Sequence, residues 1–250
     1  MYLRDLPAEP GKLLADTSYH PLVDLDDVLK ASLERAGSVA EPKEKRRVCI
    51  RSAKHVSQAP LPFMETVIAK TPSQRSAAAE LVRRRYAWRG YDVCAEDSDV
   101  FPDETRAPYY LTLLANTPAK TVGTITLGID SGAGLFVDQS NKTEIDAIRA
   151  DGRRVCEVIR LAVDEGSDSK SVLASLFASV ITLCQNVYHL TDLLAEVNPR
   201  HVAFYRRVIG FAVAGTEKVC ARVGAPSVLL LLELQADGLL ERVSTLSRQV

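Results

Sequence analysis

A carboxylate and a guanidinium three positions apart, inside an apolar run, are the feature of this chain best suited to chemistry. Residues 153–164 read RRVCEVIRLAVD, with Glu157 and Arg160 as the two charges. Val155, Val158, Ile159, Leu161 and Val163 are apolar and mostly β-branched, which predicts a strand. So hydrophobic a strand is normally buried on both faces, as in the centre of a mixed sheet. Charges placed there must be paired, neutralised or put to use. Alternation puts Glu157 on one face with Val155, Ile159 and Leu161, a setting that raises a carboxyl pKa toward that of a working base. The plainer reading is a buried ion pair, since ion-pair networks perturb pKa values too. The same alternation puts 157 and 160 on opposite faces. Both can serve one site only if a bulge lies between them.

A second charge faces inward upstream. Thr71 as N-cap and Pro72 at the first helical position open a predicted helix over 73–89. Ala78, Leu81, Val82 and Trp88 form its apolar stripe, within about 120° of the wheel. Arg85 falls near the middle of the stripe, while Arg83 and Arg84 point away. An arginine on the buried side of a helix wants a carboxylate or an anionic ligand, or else snorkels at the core edge.

The chain around these residues is that of an ordinary soluble protein. Its 250 residues suffice for one good core or a core plus an appendage, with 46% hydrophobic and 25% charged residues. No stretch reaches the length and apolarity of a membrane span, and the first residues lack the apolar region of a secretory signal. Cys49, Cys94, Cys156, Cys184 and Cys220 are odd in number and form no CxxC, so reduced thiols in a cytoplasmic protein are expected. No metal site is expected from four scattered histidines. A net charge of −1 argues against general nucleic-acid binding. Basic knots nevertheless stand at 43–54, 83–85, 153–154 and 206–207. Solvated faces explain most such runs, and a docking patch for an acidic partner is the sharper reading.

Residues 1–60 are expected to form a helical or flexible arm, with a short helix at 22–36. A compact domain follows over 61–250. Its predicted elements are a strand at 63–70, the helix at 73–89, and a long acidic loop at 90–108. Hairpin strands at 109–115 and 121–129 follow, joined by Asn116, Thr117 and Pro118, then a short helix at 144–149 and the charged central strand. A helix at 172–187, apolar nearly all round, reads as core. A strand at 191–197 leads into Asn198 and Pro199, an N-cap and its proline, and a helix at 200–209 closed by Gly210. Strands at 211–214 and 227–234 finish the sheet, and the tail from 235 is amphipathic or frayed. This order is α/β or α+β, a single sheet with helices on both faces.

The element order and local motifs resemble the GNAT acyltransferase superfamily. NPRHVAFYRRVIGF at 198–211 looks like its penultimate strand-to-helix segment. EVIRLAV at 157–163 is similar to the Glu-x-x-Arg strand of acyl-homoserine lactone synthases, and RYAWRGYDV at 85–93 sits where those enzymes carry an Arg/aromatic/Trp segment. Together with AEVNPRHVAFYRRVIGF, the chain looks most like the long-chain N-acyl amino acid synthases over about 63–235. That resemblance implies a GNAT-like mixed, largely antiparallel sheet. It also implies transfer of a fatty acyl group from the thioester of acyl carrier protein to the α-amino group of an amino acid. No bound cofactor is implied; the thioester is a co-substrate, with acyl-CoA the less favoured donor. Glu157 would accept the amine proton, Arg160 hold the acceptor or fix Glu157, and Tyr205 protonate the leaving thiol. The backbone at Leu161 and Val163 would polarise the thioester, and Arg85, Trp88 and Asn198 would line the cleft. The alternatives are an acyl-homoserine lactone synthase, a CoA-dependent N-acetyltransferase, and a non-catalytic module that binds acyl groups or the carrier protein.

One departure from the superfamily bears on the donor. Acetyl-CoA-dependent members place a glycine-rich loop before the central helix, whose N–H groups cradle the pyrophosphate. Here the loop is DEGSDSKS at 164–171, with one glycine and three carboxylates. It is poor for a pyrophosphate. Ser169, Lys170 and Ser171 at the helix N-terminus are expected to hold the single phosphate of a phosphopantetheine arm.

Overall fold

The computed structural model describes residues 64–87 and 109–248. The expected arm, Trp88 and the loop at 90–108 lie outside them.

Strand β1 (Glu65–Ile68) leads into helix α1 (Pro72–Ala87). The start of α1 is a capping box, with Thr71 N–H donating to Gln74 Oε1 at 2.9 Å and Gln74 N–H returning to Thr71 Oγ1 at 3.2 Å. Strands β2 (Tyr109–Asn116) and β3 (Thr121–Ile129) make the predicted hairpin. Helix α2 (Asp138–Ala150) precedes the central strand β4 (Val155–Val163), and α3 (Ser169–Asn186) follows it. After β5 (Asp192–Val197), Asn198 caps α4 (Pro199–Phe204), which widens into a π turn at Tyr205–Ile209. Gly210 ends that turn in the left-handed region at φ 104°, where a glycine carries no Cβ penalty. Strands β6 (Ala212–Val213), β7 (Lys218–Val219) and β8 (Pro226–Glu233) come next, then α5 (Leu239–Ser244).

The sheet runs β1-β2-β3-β4-β5-β8-β6, with β7 paired to β8. Only β4 and β5 are parallel. Helices cover both faces. On one face α3 is buried along most of its length with Cys156, Val158, Leu113 and Leu127 of the strands, and Leu239, Val243 and Leu246 of the tail join the same core. On the other, Ile145 of α2 packs with Val155 and Leu194, while Leu81 and Val82 of α1 pack with Ala162. Apolar strands at the centre and an all-round apolar helix are thus accounted for by two-sided burial.

Two expectations are corrected and two are sharpened. The short helix at 144–149 begins six residues earlier, at Asp138; its first turns are polar, and Asn141 interrupts them with non-helical angles (φ −133°, ψ 30°). The two-residue strand β7 has too little pattern to be read. The tail, expected to be amphipathic or frayed, takes the first form, a helix with Leu239 and Val243 on its buried face. Arg84 lies exposed and off the apolar stripe as expected, yet its Nη2 meets Asp164 Oδ1 at 2.7 Å at the end of β4.

The segment joining β3 to α2 is clamped by Arg149. Its guanidinium forks to both oxygens of Asp130 and both of Asp138, at 2.7–3.0 Å. Asp138 Oδ2 also accepts the Leu135 N–H at 2.6 Å. Burial pushes the Asp138 carboxyl up, but Arg149 and the Leu135 N–H outweigh it and hold it below the usual range. Arg149→Met should cost about 2 kcal/mol at neutral pH, since it takes the shared guanidinium from two part-buried carboxylates. A depressed carboxyl stabilises the fold above its ordinary pKa and ceases to as pH falls through the depressed value. The gap between variant and parent in denaturant unfolding should therefore narrow in acid, below about pH 4.

Candidate active site

Strands β4 and β5 stay together only where Val155–Val158 face Asp192–Ala195. Just beyond, β4 breaks its alternation. Thr126 pairs with Ile159 and Thr124 with Ala162, so Ile125 stands opposite both Arg160 and Leu161. This is a β-bulge, and Arg160 takes the left-handed conformation within it (φ 54°). The break demanded by the spacing of Glu157 and Arg160 falls at Arg160 itself. It reverses the parity of the strand. Cys156 and Val158 face α3 before it, and Leu161 and Val163 pack against that same core after it. Leu161 therefore does not share the face of Glu157, as strict alternation had predicted.

Past the bulge the two strands part, and a cleft of about 560 Å³ opens between them. Residues 158–163 form one wall and 195–198 the other, with α1 contributing Arg85, α3 Ser169 and Leu173, and the π turn Tyr205. The volume lies in the range of small-molecule sites. Asp164 N–H donates to Val122 O at 2.8 Å on the β3 side. Strand alternation then turns the N–H groups of Val163 and Leu161 toward the cleft. Arg85 Nη1 lies 3.4 Å from Glu165 Oε2, and Tyr205 sits edge-on among Phe177, Phe204 and Phe211, with ring centroids 5.5–6.1 Å away. Lys120 and Arg84 hold Asp164, at the rim, below the usual carboxylate range.

The structure thus brings Arg85, Arg160, Leu161, Val163, Ser169, Asn198 and Tyr205 to one cleft. Glu157 stands behind the wall instead. Its side chain is fully buried, and its oxygens accept the Phe136 N–H at 2.9 Å, the Val137 N–H at 3.0 Å and the Tyr110 hydroxyl at 3.2 Å. Tyr110, Gly128 and Glu157 lie in line across three strands. A Cβ on Gly128 would meet the Tyr110 ring at 2.5 Å, so the missing side chain is what lets the ring cross β3 to the carboxyl. Burial pushes the Glu157 carboxyl up, against the two backbone donors that pull it down. Burial and Glu157 together push the Tyr110 hydroxyl far above its ordinary range, so it stays a donor.

The helix N-terminus expected to take a phosphate is already engaged. Asp168 accepts the N–H groups of Lys170 and Ser171 at 3.2 and 3.5 Å and the Ser171 hydroxyl at 2.5 Å. That hydroxyl holds the Asp168 carboxyl below its usual range. Of the three residues named for phosphate, only Ser169 lines the cleft. Glu196, His201, Cys220 and Arg222 also line it and carry no mark in the sequence, apart from a glutamate interrupting an apolar strand.

A mixed sheet splayed at a bulge, with a cleft in the split, defines a GNAT-fold acyltransferase. The chain belongs to the family of the N-acyl amino acid synthase FeeM, whose model matches residues 77–233. It is an N-acyltransferase. It is similar to the structure of FeeM, an N-acyl amino acid synthase from uncultured soil microbes. The identity is 29% and the TM-score 0.63, over 69% of this chain and 91% of that one. The acyl-homoserine lactone synthase LasI shares the fold at 14% identity and TM-score 0.50, over 70% and 92% of the two chains. A probable acetyltransferase of Staphylococcus epidermidis does so at 13% and 0.51, over 68% and 99%. A search of curated proteins gave no match.

Glu157→Gln replaces one acceptor oxygen with a donor against a buried N–H or hydroxyl. It should cost about 1–3 kcal/mol, the range for a buried polar group left unpaired. Chemical denaturation of the purified variant measures this, and an unchanged unfolding free energy would contradict the described network.

Proposed function

We propose that this N-acyltransferase takes long-chain acyl groups from the thioester of acyl carrier protein and transfers them to the α-amino group of an amino acid. The observation that carries the donor assignment is the filled N-terminus of α3. A CoA pyrophosphate needs a cluster of unoccupied N–H groups, and here Asp168 holds two of them and adds negative charge. A carrier-protein donor presents one phosphodiester, for which Ser169 at the rim is the available group. The apolar side chains of Ile159, Leu161, Val163, Leu173 and Val197 suit a fatty chain.

In the reaction a C–N bond forms and the C–S bond breaks. Of the three ammonium protons of the acceptor, one stays on the amide, one goes to the leaving sulfur and one to solvent. The N–H groups of Leu161 and Val163 polarise the thioester oxygen. Tyr205 delivers the proton to the sulfur, and Arg160, at the bulge, lines the cleft beside the reacting groups. Glu157 acts through the groups it fixes, Tyr110 and the backbone at Phe136 and Val137; direct proton transfer to it requires that backbone to move aside. Arg206 and Arg207, exposed on the π turn that also carries Tyr205, are the docking charges for the acidic carrier.

Mass spectrometry of lipid extracts from cells overproducing the protein should show a long-chain N-acyl amino acid and identify the acceptor. An acyl-homoserine lactone there would transfer the protein to the other reaction. Arg206→Glu with Arg207→Glu should lower kcat/KM for the carrier-protein thioester by at least tenfold and much less for a small acyl thioester. Equal losses on both donors would sink the docking surface.

A further inference from the structure

We infer that the β7–β8 turn and the end of β5 form the seat of the acceptor, with Arg222 for its α-carboxylate and Glu196 for its α-ammonium. The inference rests on the acylation of amino acids proposed above.

Both residues line the cleft. Arg222 stands in the turn between β7 and β8, closed by Gly224 N–H to Cys220 O at 2.9 Å. Its Nε is buried and has no hydrogen-bond partner. Among the described residues its guanidinium makes no hydrogen bond or ion pair with a carboxylate, although its charge helps hold the Glu157 carboxyl down; it lies over the Phe136 ring, 5.2 Å from the centroid. A guanidinium resting over an aromatic ring can still offer its fork of donors to a planar anion. Phe136 in turn is fixed by its own N–H on Glu157 and by its ring against Tyr110, 5.3 Å between centroids. The buried carboxyl behind the wall thereby sets the platform on which Arg222 rests.

Glu196 is on the facing strand. Its Oε1 accepts the Ser227 hydroxyl at 2.6 Å and its Oε2 the Cys220 thiol at 3.3 Å. Each carboxylate oxygen has a further lone pair to offer, so an ammonium can be held as well. Burial, then Glu196, pushes the Cys220 thiol up, so it remains a donor and does not compete as a nucleophile for the thioester. Cys220 touches Glu196 and stands two residues from Arg222, yet the two opposite charges make no ion pair with each other among the described residues. Opposite charges that line one cleft without pairing with each other match a zwitterion, which carries its carboxylate and ammonium on a single carbon. A simple amine would leave the Arg222 fork without a bidentate partner, and the loss of such a charge-assisted pair is a strong discriminator.

The test compares an amino acid with the amine formed from it by decarboxylation. The common amino acids are first screened as acceptors with a long-chain acyl-carrier-protein thioester, and the best is taken forward with its amine. The parent enzyme should prefer the amino acid by on the order of 100-fold in kcat/KM. In Arg222→Met that ratio should collapse toward one; in Arg222→Lys, which keeps the charge and loses the fork, it should fall about tenfold. Glu196→Gln should raise KM for the amino acid tenfold or more, with a smaller change for the thioester. A ratio unchanged in both Arg222 variants, or equal losses for amino acid and amine, would overturn the seat. Failure of the parent to acylate any amino acid would strike the proposed reaction instead.

Discussion

The architecture of this protein turns on one strained residue. Arg160 sits at positive φ in the middle of the central strand, a conformation that costs a non-glycine residue on the order of 1 kcal/mol or more. The strain persists because the surroundings fix it from both sides. Upstream, β4 is locked in register with β3 and β5; downstream, Ala162 and Val163 are locked again to β3. The inserted residue lets β4 turn away from β5 without losing its ladder to β3. The cleft is the space this divergence leaves. It also supplies strand N–H groups that have no neighbouring strand to bond to, which is the usual way a sheet provides donors to a reacting carbonyl.

Behind the bulge lies a second constraint, the buried carboxyl of Glu157. Three donors from two different elements converge on it, so the network is satisfied and specifies its neighbours closely. Gly128 clears the path for Tyr110, and Arg149 holds the ends of the segment that offers Phe136 and Val137. Phe136 then carries Arg222 into the cleft. A carboxylate enclosed behind the wall can in this way control the shape of one end of the cleft. The same network explains why an acidic residue is tolerated in so apolar a strand: its partners answer it with hydrogen bonds, and no ion pair with Arg160 is needed.

Much of this was legible in the residues themselves. Alternation and β-branching marked the strands, the all-round apolar run marked α3, and Thr71–Pro72 and Asn198–Pro199 marked two helix starts, because these signals are local and depend on few neighbours. The spacing of Glu157 and Arg160 even required a break in the strand. It did not say which way Glu157 would look. That depended on the backbone at 136–137, 21 and 20 positions away, arriving with two N–H groups. Likewise Asp168 reads as one more acid in a polar loop until its carboxylate is seen to fill the helix terminus.

The sequence by itself therefore determined the order of elements, the family motifs and the need for a bulge, all of which follow from short-range pattern and steric rules. Only the tertiary structure decided which charges share the cleft. Glu196 and Arg222 belong to separate segments and meet there because β5 and the β7–β8 turn are both built against β8, while Glu157, the most conspicuous acid in the sequence, is enclosed by donors from β2 and the start of α2. Convergence of distant segments carries no periodic signature, so the identity of the groups facing the substrate is a property of the packed sheet.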